Sequence, residues 1–293
     1  MKLKLTRRQF GQLMIGSTAM AGLGYFGQKT SAQTPSAQTS TILYGARLDR
    51  KAGGYVIQSL DLATKKIQDI TTVSIESGQR LNDFSYAGSN TFVLNIGPTK
   101  SSKTENSSSR LLSLTVGQTP TSTSISGLTN EQNLKSILVT SDGSLMGLVQ
   151  KNDKTSSELV NINRNTAVLE RVNNILLSVT ERFSNLAQAR LDNLVESRGI
   201  VYTTNLALQG DTSLVELDST RGQVGQGVQL KLNGTAWNSG FASLASGPGD
   251  LVYALGNERY KTPYNLYTVN VRTGEMTLLQ AWDVALITSS LSG

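Results

Sequence analysis

The chain has 293 residues, with 27 Lys and Arg against 21 Asp and Glu, a formal net charge of +6, and neither cysteine nor histidine. Without cysteine there is no disulfide framework, thiolate nucleophile or Cys-based metal site; without histidine there is no Ser-His-Asp apparatus and no His-ligated zinc, copper or haem. Any chemistry falls to carboxylates, Lys, Tyr, Ser or Thr.

The first 32 residues stand apart from the rest. Lys2, Lys4, Arg7 and Arg8 form a basic n-region, residues 13 to 27 a mildly apolar stretch, and Thr30-Ser31-Ala32 a small-residue cleavage site. The apolar stretch is about fifteen residues long and diluted by glycine, short of the roughly 20 that a bilayer helix needs. Thr6-Arg7-Arg8-Gln9-Phe10 resembles the twin-arginine export signals, in which an adjacent Arg pair is followed one residue later by Phe; Lys29 near the cleavage site belongs to the same pattern, and Gly11 departs from it. The resemblance implies export of an already folded protein to the periplasm, the thylakoid lumen or the extracellular space. An ordinary secretory signal and an uncleaved anchor are the alternatives. Lys2, Lys4, Arg7, Arg8 and Lys29 lie in this segment and no acid does, which leaves 22 bases against 21 acids after cleavage. A chain so nearly neutral, with no basic run longer than two, lacks the electrostatic footprint of a nucleic-acid binder.

Residues 33–40 read as a flexible polar tether, and residues 41–293 as one domain. Five segments of that domain share the pattern apolar, x, x, apolar, then a polar residue opening a turn: Ile57 and Leu60, Leu111 and Leu114, Leu159 and Ile162, Leu214 and Leu217, Leu266 and Val269. At the second apolar position the spacings are 54, 48, 55 and 52, the period of a propeller blade. In Asn270-Val271-Arg272-Thr273-Gly274 the turn has a stated cause, because Asn bonds backbone ahead of it and Gly supplies positive φ. A second short strand lies upstream of each copy: Thr41 to Tyr44, Phe92 to Leu94, Leu145 to Val149, Ile200 to Tyr202 and Leu251 to Ala254. An innermost strand precedes four of these, at Leu81 to Tyr86, Leu134 to Val139, Leu191 to Val195 and Phe241 to Ala245.

The first unit lacks its inner strand, and the chain ends on an unpartnered one, Trp282 to Thr288. The expected fold is therefore an all-β propeller of five four-stranded blades, with the C-terminal strand completing the first blade and removing the open edge. Residues 172 to 183 fit no blade, so six or seven blades remain open, and a β-sandwich or jelly roll is the alternative architecture. The segment from Leu266 to Gly274 resembles the repeat of secreted bacterial propellers of the YVTN and quinoprotein-like kind. That resemblance implies the fold and specifies no activity.

Propellers usually meet ligands where the inner strands begin. In this chain that geometry collects Arg80, Asn82 and Asp83, Asn133 and Lys135, Arg190 and Asp192, Trp237 and Asn238, and Trp282 and Asp283. Two tryptophans beside amides and carboxylates suit a sugar face or a peptide side chain, unless they only pack between blades. This makes a binding or interaction module, probed by a protein or carbohydrate ligand, the expected function, with a monomer the expected state. The alternative is a glycoside hydrolase-like enzyme using Asp83, Asp192 and Asp283, since that chemistry needs two carboxylates roughly 5 to 9.5 Å apart. Solvated or salt-bridged aspartates compete with that reading. No loop spaces oxygen ligands as a calcium site does and no glycine-rich loop opens a helix, so neither metal nor cofactor is expected.

Overall fold

The structure, a computed structural model, describes residues 41–99, 109–151, 157–171, 190–206, 211–218, 220, 223–258 and 263–290. The export signal, the tether and the segment 172–183 lie outside the described residues. Blade one contains β1 (Ile42–Asp49), β2 (Gly54–Asp61) and β3 (Lys66–Ser74); blade two contains β4 (Gln79–Tyr86), β5 (Thr91–Pro98), β6 (Arg110–Thr115) and β7 (Thr121–Ser124). Blade three runs through β8 (Gln132–Val139), β9 (Leu145–Lys151), β10 (Ser157–Ile162) and β11 (Leu169–Arg171), and blade four through β12 (Arg190–Ser197), β13 (Ile200–Leu206), β14 (Thr212–Asp218) and β15 (Gln223–Gln229). A short hairpin, β16 (Lys231–Leu232) and β17 (Thr235–Ala236), leads into blade five, which holds β18 (Phe241–Ser246), β19 (Leu251–Gly256), β20 (Tyr264–Asn270) and β21 (Glu275–Trp282). The last strand, β22 (Leu286–Ser289), pairs antiparallel with β1, from Ala46 opposite Leu286 to Leu43 opposite Ser289. The fold is a five-bladed β-propeller closed by its C-terminal strand.

Burial across each blade explains its residue pattern. The second strand outward lies between neighbouring blades on both faces, so runs such as Phe92-Val93-Leu94 in β5 and Leu145-Met146-Gly147-Leu148-Val149 in β9 are buried throughout. Outermost strands face solvent and are polar, as in Thr121-Ser122-Thr123-Ser124 of β7. The apolar core is accordingly divided among five seams. One cluster joins blades one and two, and the others join two and three, three and four, four and five, and five and one.

The repeated turn between third and fourth strands has the predicted cause. The Oδ1 atoms of Asp61, Asn163 and Asn270 each accept two backbone N–H bonds, 2.9 to 3.1 Å long, from the residues two and three positions on. Gly274, at φ 73°, closes the last of these turns, and a Cβ there would meet the Gln229 carbonyl oxygen at 2.1 Å. The β16–β17 hairpin was not expected, although its Asn233-Gly234 turn, at φ 52° and 76°, carries the usual signal. β16 lies parallel to β21 and widens blade five at its outer edge.

The inner strands share a second device. Four of them carry a β-bulge at matching positions, with Asn82, Lys135, Asn193 and Ala242 as the extra residues. Beside or on each bulge a short polar side chain bonds the next blade. Asp83 Oδ2 accepts bonds from Ser136 Oγ at 2.6 Å and Ile137 N at 2.9 Å, and Ser136 Oγ accepts from Leu194 N at 3.0 Å. Asn193 Nδ2 donates to the Phe241 carbonyl at 3.1 Å, Ser243 Oγ bonds both N and O of Ile287, and Tyr86 N donates to Thr288 Oγ1 at 3.1 Å. The last two contacts tie blade five to β22 and β22 to blade two, so the circuit passes through every blade.

Closure also depends on Gly45 in β1, which sits opposite Ile287 with the Trp282 indole against it. A Cβ at residue 45 would lie 2.7 Å from side-chain atoms of Trp282 and Val284. Gly45→Ala is expected to destabilise the fold by about 1 to 3 kcal/mol through overpacking of the closing seam. Chemical denaturation measures this; an unchanged midpoint would mean that the indole moves aside without cost.

Candidate functional site

The structure places the sequence-predicted residues at one end of the propeller, where the inner strands begin, but in different surroundings. Arg80 is exposed and donates from Nε to Asn82 Oδ1 at 2.9 Å, while the Asn82 amide packs against Gly97. Asn133 is exposed beside β9, and Arg190 opens β12. Lys135, on its bulge, reaches Asp192 with Nζ 3.5 Å from Oδ1.

Asp83 belongs to the inner circuit rather than to an open surface. It is buried, and Phe84 N donates to its Oδ1 at 2.9 Å in addition to the two bonds from blade three. Burial pushes its pKa up to about 6, against the opposing pull of the bonds from Ser136, Ile137 and Phe84 and of the Lys135 charge. The channel it borders, lined by all five inner strands including Ser85, Thr288 and Ser289, has a volume of about 10 Å³. That is room for about one water and for no sugar.

The two tryptophans do occupy equivalent positions, each four residues ahead of its inner strand. Neither offers a platform, because each is 3% exposed. Trp237 stacks on Phe241 at a centroid distance of 5.6 Å and meets Tyr267 edge-on in the seam between blades four and five. Trp282, at the end of β21 and not in the inner strand as expected, fills the seam between blades five and one. The carboxylate trio is likewise not equivalent: Asp83 follows its bulge, Asp192 precedes its own, and Asp283 is exposed between β21 and β22. The spacing that suggested a common position ignored the bulges, which shift every later residue by one.

What the fold does bring together is Asp192 and Asn238. They line a cleft of about 270 Å³ between blades four and five, with Thr204, Leu206, Thr212, Ser239, Gly240 and Phe241 completing its walls. Its frame is held by hydroxyls: Thr203 and Thr204 donate to the Asp192 carbonyl, Thr212 Oγ1 to the Ser239 carbonyl at 2.7 Å, and Ser239 Oγ to the Asn257 carbonyl at 3.0 Å. The Asn238 side chain is exposed at the rim and Phe241 supplies an apolar floor. Asn193, Thr204 and Thr212 escaped sequence reading because their roles arise from the bulge and from contacts across the seam. Ser239-Gly240, a turn signal directly before an inner strand, was available to find. Among the described residues no three His, Cys, Asp or Glu side chains converge in the manner of a cation site, and no helix is long and apolar enough to cross a membrane.

No family model and no curated protein matches the chain. Solved structures do. TolB from Acinetobacter baumannii is 12% identical at a TM-score of 0.46, over 83% of this chain and 52% of that one. An exo-β-1,3-galactanase from Clostridium thermocellum is 10% identical at 0.53, over 86% and 63%, and the β-propeller domain of the Trilobed protease from Pyrococcus furiosus is 12% identical at 0.38, over 82% and 64%. This chain thus spans about half of the TolB structure and under two thirds of the other two. The chain's own strand order defines the class, a β-propeller protein, and likeness at such low identity goes no further than the fold.

The raised pKa of Asp83 has a consequence for stability. Below about pH 4 the carboxyl is protonated folded or unfolded; between about 4 and 6 only the folded chain keeps the proton; above 6 the folded chain holds a buried charge. Stability contributed by this group is therefore present at low pH and lost as pH rises through 6, by on the order of 3 kcal/mol. Asp83→Asn is expected to flatten that part of the pH–stability curve. Parallel curves for the two proteins between pH 4 and 7, followed by thermal unfolding, would contradict it.

Proposed function

We propose that this propeller is a binding module that takes a small hydroxyl-bearing ligand, such as the end of a carbohydrate, in the cleft between blades four and five. The observation that carries the reading is the contrast between that cleft, about 270 Å³ with Asp192 and Asn238 on its wall, and a central channel of about 10 Å³. A carboxylate and an amide above an aromatic floor suit hydroxyl donors and the apolar face of a sugar ring. Lys135 beside Asp192 offsets the charge, which favours a neutral ligand over a cation.

A hydrolase needs a second carboxylate on the same cavity. Among the described residues that line the cleft, Asp192 is the one acid. The binding reading stands ahead of the enzyme for that reason.

Saturation-transfer NMR against neutral mono- and disaccharides tests the cleft. Binding is expected to weaken about 3- to 10-fold in Asn238→Ala and in Asp192→Asn, the effect of losing one hydrogen bond. Sugars that bind both variants unchanged would remove the cleft from the mechanism. Turnover of a glycoside that disappears in Asp192→Asn would replace binding by catalysis.

We also propose that the chain acts outside the cytoplasm, on the strength of Arg7, Arg8 and Phe10 within the leading segment. Replacing Arg7 and Arg8 together by Lys keeps the n-region charge and is expected to retain the protein in the cytoplasm, read by cell fractionation. Export at the original level would show that the Arg pair is not the signal.

A further inference from the structure

The seam between blades four and five opens at both ends. At the end away from Asp192, where β12 turns into β13, lies a groove of about 330 Å³. Its floor is apolar, with Leu214 and Val271 buried and Ile200 42% exposed at its lip. Its wall is charged. Arg198 Nε lies 3.1 Å from Asp250 Oδ1, and Arg272 Nε lies 3.0 Å from Asp250 Oδ2.

One carboxylate thus holds two guanidinium groups, each through Nε. A guanidinium has five N–H donors in a planar fork, so the pair keeps most of its donors for another acceptor. The two side chains are 55% and 66% exposed while Asp250 between them is 25% exposed. Tyr202 and Glu216 line the blade four side. Burial, then the nearby Glu216 and Asp250 charges, raise the Tyr202 pKa, and the Arg272 charge opposes them. Glu216 lines the groove as well, so two guanidinium groups stand beside two carboxyl groups, and what the arginines offer a ligand is their remaining N–H donors rather than a net positive charge.

Two further features point the same way. Arg198 sits at φ 52°, ahead of Gly199 at 74°, a left-handed position that suits Asn or Gly and is unfavourable for a long side chain. The corresponding tips of blades two and three carry Ser89-Asn90 and Asp142-Gly143. Ser197 Oγ also donates to the Gly249 carbonyl at 3.0 Å, which locks the blade four tip onto the turn that bears Asp250. The turns that carry Arg198 and Asp250 are thus joined through their backbone before any ligand arrives.

We propose that this groove is a second binding site, for a monocarboxylate with an apolar body: the carboxylate meets the Arg198 and Arg272 forks and the body covers Ile200, Leu214 and Val271. Amide NMR of the full chain, titrated with hexanoate, tests it. Saturable shifts at Gly199, Ile200 and Val271 in the millimolar range are expected, with at least a tenfold loss in Arg272→Ala, whose side chain leaves an exposed turn, and no loss in Asn238→Ala at the other end of the seam. Arg198→Lys keeps the charge without the fork and is expected to weaken binding as well. Shifts of equal size with hexanol would reduce the site to an apolar patch and overturn the proposal. So would inorganic phosphate binding where hexanoate does not, an Arg272→Ala protein that binds hexanoate normally while its remaining spectrum is unchanged, or an absence of saturable shifts.

Discussion

Each blade is tied to the next by a short polar side chain on its innermost strand, and the rest of the architecture depends on that circuit. An inner strand has a sheet neighbour on one side only, so its backbone groups on the channel side need partners from elsewhere. Asp83, Ser136, Asn193, Ser243 and Thr288 supply them across the seams. The residues are small because five strands converge on an axis with about 10 Å³ of free space. The bulges fit the same constraint, since an extra residue re-aims the next side chain toward the adjacent blade.

This arrangement leaves little free space at the axis. Polar groups that a wide propeller could offer to a ligand are spent here on holding blades together, and Asp83 illustrates the cost: a carboxyl buried for structure rather than exposed for chemistry. Open space lies instead at the seams: a hollow of about 500 Å³ lies between blades two and three, lined by Val93, Leu111, Ser113 and Arg164 among others, and the seam between blades four and five has a smaller cleft at each end. That seam is bordered by the β16–β17 hairpin and filled by Trp237 stacked on Phe241. A rigid aromatic middle with openings at both ends separates two surfaces of different chemistry, one with Asp192 and Asn238 and the other with paired arginines.

Much of the fold was legible in the chain because its signals are local. Blade period, Asx turns at Asp61, Asn163 and Asn270, and the unpartnered C-terminal strand each follow from residues close together in sequence. The candidate site was legible only in part. Asp192 and Asn238, expected near one another, do line one cleft, whereas Asp83, Trp237 and Trp282 were assigned to a surface from which they are withdrawn.

The amino-acid sequence by itself determined that the chain folds as repeated antiparallel blades and that it carries a basic leader resembling an export signal. It also determined that no histidine or cysteine chemistry is open to it. Tertiary structure alone decided which polar residues face outward. The inner-strand residues of this chain meet the next blade 44 to 58 residues on, or 202 at the closing strand, and a one-residue bulge changes which side chain is aimed at it. Whether an aspartate is a ligand or a strut is settled by a partner some fifty residues away, as Ser136 and Ile137 settle it for Asp83.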